Sequence, residues 1–226
     1  MNIEEEIKNC GIYLKQIKQY DPDPFYVDYF FNQYINSINN IINGIFEEAN
    51  TDFGLFVTEK ITQKKFLEKA TAKKDSNAIK FSKWFSSKYD NEHKNSYPSV
   101  MDKICQIKNK NQTLPQIKIM IRATDRCKDD FNQEIKIKLK NGKIISREEL
   151  DIEMKRQTPG FLVMINAKRQ KKEEPVIKGN KIVASAFLDI EKSNVEIMYV
   201  SQIYISVIRR LVDESRDKIK ELTEWK

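Results

Sequence analysis

The stretch Leu114-Pro115-Gln116-Ile117-Lys118-Ile119-Met120-Ile121-Arg122 decides the fold, because the hydrophobic period changes there from helical to alternating. Isoleucine recurs at every second position, and Lys118, Met120 and Arg122 lie between the isoleucines. This alternation predicts a β-strand with one buried face. Since Pro115 cannot continue a helix, we place the boundary between a helical first part and a sheet at this residue.

A second alternating segment lies just downstream. From residue 135 to 140 isoleucine or leucine alternates with Lys136, Lys138 and Lys140, and Asn141-Gly142 follows. That dipeptide favours a type I′ turn, and the next apolar residues begin a return strand. The sequence therefore predicts a β-hairpin about Asn141-Gly142.

Upstream of the boundary the apolar residues recur at i, i+3 and i+4, which predicts amphipathic helices. Asp21-Pro22-Asp23-Pro24 separates the first two, because Pro22 stops one helix and Asp23 can cap the next. The predicted helices are residues 3–18, residues 24–49, a helix with Ile61, Phe66 and Leu67 capped by Thr58, a helix capped by Asp75 with Ala78, Phe81, Trp84, Phe85 and Tyr89 on one face, and a short helix with Pro98 in its first turn.

Downstream of the hairpin, Ser146 and Glu149 have the spacing of a capping box, which predicts a short helix that ends before Pro159-Gly160. Alternation and polarity then predict two strands and a loop between them: Phe161–Ala167, Lys181–Leu188 and the loop Lys168–Asn180. Ser193 and Glu196 form a second capping box, which predicts a long final amphipathic helix.

These elements predict an α+β fold. We expect a helical bundle at residues 1–114, completed by a C-terminal helix at residues 193–226 that packs back on it. The small antiparallel sheet, at residues 115–192, is then an insertion in the bundle. This order follows from the single change of period and its return to helical spacing.

Positive charge is concentrated in the sheet region. The 226 residues carry a net charge of +7, from 40 Lys and Arg against 33 Asp and Glu. Between Lys103 and Arg147 there are 12 basic and 4 acidic residues, so this segment alone carries an excess of +8. Such a concentration indicates a polyanionic partner.

If the two strands pair with their isoleucines inward, their basic side chains share one outer face. The candidate nucleic-acid-binding residues are Lys118, Arg122, Lys136, Lys138, Lys140 and Lys143. We expect RNA or DNA, if bound, to lie along this face through phosphate contacts. No aromatic residue alternates with the lysines on the strands, so sequence preference should be weak. The alternative is that these lysines are ordinary solvent-side residues that discourage strand aggregation.

Catalytic chemistry has few candidate residues here. The only histidine, His93, lies in a polar run that predicts a solvated loop, so neither a Ser-His-Asp triad nor a histidine-completed zinc cluster can form. There is no Gly-rich phosphate loop. We therefore expect no catalytic activity and no cofactor.

Metal ligands and disulfides are also not expected. Asp21 and Asp23 are better explained as helix caps, and the acidic cluster Asp125, Asp129 and Asp130 is interrupted by basic residues, which favours a mixed-charge loop over a cation site. The three cysteines, Cys10, Cys105 and Cys127, are too few and scattered for a disulfide framework, which favours free thiols in a cytoplasmic protein. The acidic N-terminus does not resemble a secretory signal, and no apolar run predicts a membrane span.

The aromatic residues Phe81, Trp84, Phe85 and Tyr89 recur at helical spacing. They could stack on nucleobases, although a stripe of this kind is more often part of a core. After a polar stretch, Val100-Met101-x-x-Ile104-x-x-Ile107-Lys108-Asn109 forms the end of the next helix.

Together these two segments resemble the last two helices of HEPN-type helical bundles. In many members of that family a helix ends in Arg-Asn, a histidine follows a few residues later, and this pair is the ribonuclease site of a dimer, often in toxin–antitoxin or antiviral systems. Here Lys108 replaces the arginine, Asn109 is retained, and residues 110–115 contain no histidine. The resemblance, which covers residues 1–114 at most, thus implies an inactive HEPN-like bundle.

The sequence therefore predicts a non-catalytic, cytoplasmic, HEPN-like protein that associates with RNA or DNA without sequence specificity. The alternative is a protein-interaction or dimerisation scaffold. Val200, Tyr204 and Ile205 lie partly off the main apolar stripe of the final helix, which is consistent with a second face for a homodimer or with burial inside the chain.

Overall fold

The computed structural model describes residues 2–59, 61–94, 96–110, 112–124, 133–134, 139–140, 142–144, 146–190 and 193–224. The chain forms two compact units, and each takes up separate segments of the sequence. The first unit consists of Met1–Tyr13, Gln33–Gln112 and Ser201–Lys226. The second unit consists of Leu14–Asn32 and Thr113–Val200.

The described residues form seven α-helices, and the predicted α+β order of helices, small sheet and long C-terminal helix is confirmed. The helices are α1 (Ile3–Tyr20), α2 (Pro24–Asp52), α3 (Gln63–Ala72), α4 (Ser76–Glu92), α5 (Ser96–Asn109), α6 (Arg147–Lys171) and α7 (Ile197–Thr223). Asp75 caps α4 as predicted, by accepting hydrogen bonds from the backbone N–H groups of Asn77 and Ala78. The cap of α3 is Thr62 rather than Thr58, so that helix begins later than predicted.

The strands are short and antiparallel. They are β1 (Ile117–Ala123), β2 (Gln133–Glu134), β3 (Leu139–Lys140), β4 (Lys143–Ile144), β5 (Ile182–Ile190) and β6 (Ser193–Glu196). One sheet has the strand order β2-β1-β5-β6, and β3 pairs with β4 in a separate ribbon. Leu139 pairs with Ile144, and Gly142 has a φ of +79°, so the predicted hairpin is confirmed.

Helix α6 corrects the predictions made for residues 147–180. Its start is as predicted, since the Ser146 side chain accepts a hydrogen bond from the Glu149 N–H. However, the helix does not end before Pro159, and the strand predicted at Phe161–Ala167 is wrong because those residues are helical. Phe161 and Ile165 are buried while Val163, between them, is 74% exposed, which is the period of a helix and not of a strand.

The reason is burial against the sheet. Phe161 and Ile165 belong to the apolar cluster of the second unit together with Ile119, Ile121 and Ile182. Burial of Phe161 and Ile165 contributes about 1.5–3 kcal/mol for each side chain, which offsets the roughly 3 kcal/mol that an internal proline costs a helix. The predicted loop Lys168–Asn180 is consequently shorter, because α6 continues through Lys171.

The start of α7 also differs from the prediction. Ser193 and Glu196 do not form a capping box, because both lie in β6, which pairs with β5. Instead, Glu196 ends that strand, and its Oε2 accepts a hydrogen bond from the Tyr199 N–H at 3.0 Å. Glu196 is therefore the last residue of β6, and its carboxylate caps the N-terminus of α7.

In the first unit α7 packs back on the helical bundle, as predicted. The Tyr34 hydroxyl donates to the carbonyl oxygen of Ser201 at 2.8 Å, and the Arg216 guanidinium bridges Glu48 and Glu4. Phe81 and Phe85 are buried, which confirms the core interpretation of the aromatic stripe on α4. Their neighbours in this core are Phe46 and Phe66.

His93 is not in a solvated loop, and that prediction is wrong. The side chain is only 9% exposed and its ring stacks on Tyr89 with 3.9 Å between centroids. Nδ1 lies 2.6 Å from the Tyr89 carbonyl oxygen and Nε2 lies 3.0 Å from the Tyr204 hydroxyl. The residue follows α4 directly as its C-cap, so its ring folds back over the last turn of the helix instead of extending into water.

Candidate nucleic-acid interface

The predicted cationic face of β1 is not an open surface. Met120 lies between Lys118 and Arg122 on the same side of the strand, and it is only 4% exposed. On the opposite side Ile119 and Ile121 are buried as well. Because β1 is covered on both faces, the assumption that isoleucines face inward and charges face solvent does not apply to this strand.

Lys118 and Arg122 both have acidic partners. Lys118 Nζ lies 2.8 Å from a carboxylate oxygen of Asp189. Arg122 Nη2 lies 3.7 Å from Glu196, and its side chain is only 15% exposed. Both basic side chains thus stabilise the sheet, which reduces the charge that they can present to phosphate groups.

Arg122 belongs to a buried polar cluster that also contains Asp21, Ser185 and Glu196. Arg122 Nε donates to Ser185 Oγ at 3.1 Å, and Asp21 Oδ1 accepts a hydrogen bond from the Ala186 N–H at 2.7 Å. The pKa of Asp21 is raised to about 7, chiefly by burial; the hydrogen bond from the Ala186 N–H opposes the shift, and the neighbouring Glu196 carboxylate adds to it. Burial also raises the pKa of Glu196, against the attraction of Arg122.

Two of the remaining candidates, Lys136 and Lys138, lie outside the described residues, as do Asp125, Asp129, Asp130 and Cys127. Lys140 pairs with Lys143 across the β3–β4 hairpin, and the structure describes only its backbone. The structure does describe the side chain of Lys143, on the other strand of the hairpin.

Lys143 lies against aromatic rings at the start of α2. Its Nζ is 4.3 Å from the ring centroid of Phe25 and 4.8 Å from that of Tyr26, and it also donates to the Tyr26 hydroxyl at 3.3 Å. Both distances are within the range of a cation–π interaction. The hairpin thus places a positive charge over two aromatic faces.

The rings form two rows because of their helical spacing. Phe25 and Tyr29 are four residues apart, as are Tyr26 and Phe30, and such pairs lie on one side of a helix. The inner row is covered by Tyr20, which stacks on Tyr26 at 4.5 Å and on Phe30 at 5.6 Å. The outer row remains in solvent, with Phe25 41% and Tyr29 55% exposed. We call Phe25, Tyr26, Tyr29 and Lys143 the aromatic platform.

Local sequence explains why the platform is fixed. Asp23 Oδ1 accepts a hydrogen bond from the Phe25 N–H at 3.1 Å, so Asp23 caps α2 and Phe25 lies in the first turn of the helix. Arg147, at the start of α6, donates to the Asp21 carbonyl oxygen at 3.4 Å. Backbone and side-chain contacts therefore hold the outer rings on a rigid helix end, a geometry that suits stacking on planar ligands.

The segment that resembles the HEPN motif lies in the first unit. Lys108 and Asn109 end α5, and Asn109 Nδ2 donates to Asn39 Oδ1 at 3.2 Å. In the part of the chain that the structure describes, no group of three or more His, Cys, Asp or Glu residues is arranged to hold a metal ion. Cys10 and Cys105 are free thiols, both buried, and burial raises the pKa of each to about 12.

The platform was not predicted from the sequence, because only aromatic residues on the strands that carry the lysines were considered as partners of those lysines. The signal was nevertheless present: Phe25-Tyr26-x-x-Tyr29-Phe30 is a dense aromatic group directly after a helix cap. Its proximity to Lys143, more than a hundred residues away, depends on tertiary structure and had no local signature.

Comparison with known proteins gives no relative for this chain: no family model, no curated protein and no solved structure matches it. Within the described residues, no helix has the length and apolar character needed to cross a membrane. The function must therefore be argued from the platform itself.

Proposed function

We propose that the protein binds single-stranded RNA or DNA, without strong sequence preference, through the aromatic platform. The observation that carries the proposal is the ammonium group of Lys143 over the Phe25 and Tyr26 rings, beside a Tyr29 ring that is 55% exposed. Single-stranded nucleic acid offers both groups that such a surface recognises, a planar base and a phosphate. Every base has a stacking face, so this recognition tolerates any sequence.

An ordinary structural role explains the inner rings better than the outer ones. Tyr26 and Phe30 are half-buried and stack on Tyr20, which accounts for their presence as packing. Phe25 and Tyr29 keep much of their surface in water. Packing does not explain them, because polar residues would serve equally well at a solvated helix end. Adjacent exposed aromatic rings of this kind mark interaction surfaces.

The proposal keeps the predicted class of partner but moves the contact. The charges of β1 are engaged by Asp189 and Glu196, so we assign the phosphate contacts to Lys143 and the other hairpin lysines instead. A HEPN-like, non-catalytic bundle remains part of the proposal, supported by Phe81 and Phe85 on α4 and by Lys108 at the motif position on α5.

The dimerisation alternative loses the observation on which it depended. Tyr204 is fully buried and Ile205 is 6% exposed within the single chain, and Val200 is also buried. The second apolar face of α7 therefore needs no second copy to cover it. A homodimer remains a prediction that light scattering at tens of micromolar protein would test.

The test is a fluorescence anisotropy titration of a labelled 20-nucleotide oligouridine at low salt. We expect Phe25→Ala/Tyr29→Ala to weaken binding by about thirtyfold or more, because two lost stacking contacts at about 1–3 kcal/mol each sum to at least about 2 kcal/mol. The matched control is Ile152→Ala/Val163→Ala, which removes two exposed apolar side chains of α6 in the same unit. Equal affinity of the two double variants, or no binding by the wild type, would contradict the proposal.

A further inference from the structure

Phe56, in the loop between α2 and α3, is an exposed aromatic residue in a strained backbone. Its side chain is 78% exposed and its φ is +56°, in the left-handed region that side chains other than glycine rarely adopt. Neither burial nor backbone preference explains a phenylalanine here. Strain that local packing does not repay is a feature of functional sites.

The strained conformation is held by specific hydrogen bonds. Asn50 clamps Val57 from both sides, since Oδ1 accepts from the Val57 N–H at 2.9 Å and Nδ2 donates to the Val57 carbonyl oxygen at 3.3 Å. Lys73 Nζ donates to the Gly54 carbonyl oxygen at 2.9 Å and lies 4.8 Å from the Phe56 ring centroid. These bonds hold the backbone on both sides of Phe56, and its exposed ring has a positive charge beside it.

An open cleft of about 450 Å³ adjoins this ring. Its lining includes Phe56, Glu59, Lys65, Glu68 and Lys69. The two acids of this lining already have partners, because Lys65 lies 2.7 Å from Glu59 and Lys64 lies 3.9 Å from Glu68.

The remaining charge at the cleft is positive. Among the described residues, neither Lys69, which lines the cleft, nor Lys73, over the ring, forms an ion pair. The cleft thus combines an open aromatic face with two basic side chains, and its volume lies within the range of small-ligand sites. A planar group that carries a negative charge matches both features.

We propose that this cleft binds one nucleotide of a single-stranded nucleic acid, with the base against Phe56 and the phosphate beside Lys69 and Lys73. The choice of ligand rests on the proposed function, but the contact uses other residues in the other unit of the chain. It is a second binding site, formed by residues other than those of the aromatic platform, and the two sites can be tested by separate measurements.

The experiment is photo-crosslinking of a 20-nucleotide oligo-5-bromouridine to the full chain, with peptide mapping by mass spectrometry. We expect a crosslinked peptide containing Phe56 in the wild type and also in Phe25→Ala/Tyr29→Ala. Lys69→Glu should lower the yield of that crosslink at least threefold. Lys80→Glu, an exposed lysine of α4 outside the cleft, should leave it unchanged.

A second variant tests the ring without endangering the fold. Phe56→Gly relieves the positive φ, so its melting temperature should equal or exceed that of the wild type, while its affinity for the oligonucleotide falls about fivefold or more. Leu67→Ala, an exposed apolar residue of α3 that does not line the cleft, is the matched control.

The outcomes separate this inference from the proposed function. Crosslinks confined to the platform, or equal affinities of Phe56→Gly and Leu67→Ala, would overturn the cleft and leave the platform standing. Absence of all crosslinks and of all binding would overturn both. Uridine 5′-monophosphate should compete with the oligonucleotide only at millimolar concentration. Competition at micromolar concentration would overturn the assignment of the cleft to a single-stranded nucleic acid.

Discussion

Asp21 illustrates how far one residue can depart from its local interpretation. Its neighbours in Asp21-Pro22-Asp23-Pro24 suggest a helix cap, and Asp23 has that role. Asp21 instead accepts a hydrogen bond from the Ala186 N–H and lies half-buried beside Glu196 and Arg122. Nothing within a few positions of Asp21 encodes these partners, because they come from strands more than a hundred residues away.

The raised pKa of Asp21 predicts a pH dependence of stability. With a pKa of about 7 in the folded state and an ordinary value of 3.8 in the unfolded chain, the folded protein retains a proton that the unfolded chain releases between these pH values. The free energy of unfolding should therefore decrease as pH rises from about 4 to about 7, by about 1.4 kcal/mol per pH unit at most.

Asp21→Asn removes this titration but keeps an oxygen to accept the Ala186 N–H. Denaturant melts at pH 4 and pH 8 should show a flatter profile for the variant and a gain in stability at pH 8. The exposed Asp213→Asn serves as the control. A wild-type profile that rises between pH 4 and pH 7, or one that Asp21→Asn leaves unchanged, would contradict the account.

His93 makes a second prediction at this scale. Since its ring is buried and hydrogen-bonded to Tyr204, His93→Ala leaves a cavity and leaves the Tyr204 hydroxyl with the longer contact to the Tyr89 hydroxyl at 3.4 Å, and we expect a loss of about 2–4 kcal/mol. Lys94→Ala, the exposed neighbouring residue, should cost less than about 0.5 kcal/mol. Urea denaturation measures both. Similar stability of the two variants would indicate that His93 lies in a solvated loop, as the sequence predicts.

At the scale of elements, the sequence predicts what is locally periodic. The helices α1, α2, α4 and α5 and the strands β1 and β5 have one apolar face or a clear alternation, and they lie where predicted. The strand prediction for residues 161–167 was wrong because Phe161 and Ile165, four positions apart, fit both the period of two of a strand and the i, i+4 spacing of a helix. The proline before them favoured the wrong choice.

Helix α6 consequently contains two residues that weaken it. Pro159 and Gly160 are both exposed, and a Cβ added at Gly160 would meet nothing within 4 Å. We expect Pro159→Ala to raise the free energy of unfolding by about 1–2 kcal/mol and Gly160→Ala by about 0.5–1 kcal/mol. Thermal melts followed by circular dichroism provide the measurement. A fall in stability for both variants would show that α6 does not continue through residue 159.

At the scale of the whole molecule, the candidate site was only partly predictable. The excess of +8 between Lys103 and Arg147 predicts a polyanionic partner, which stays a prediction, and Lys143 was among the residues named for it. The position of the contact was not predictable, because ion pairs to Asp189 and Glu196 engage the charges of β1 and the aromatic partners of Lys143 come from α2. Charge composition is a property of the sequence, whereas accessible charge is a property of the fold.

The central claim is that exposed aromatic rings beside Lys143 recognise unpaired bases. The most direct measurement compares the affinity of the full chain for a single-stranded 20-mer with its affinity for the duplex of the same sequence, at one salt concentration. We predict at least tenfold tighter binding of the single strand, because only unpaired bases offer their faces to Phe25 and Tyr29. Equal affinity, or preference for the duplex, would show that only charge attracts the polymer and would contradict the account.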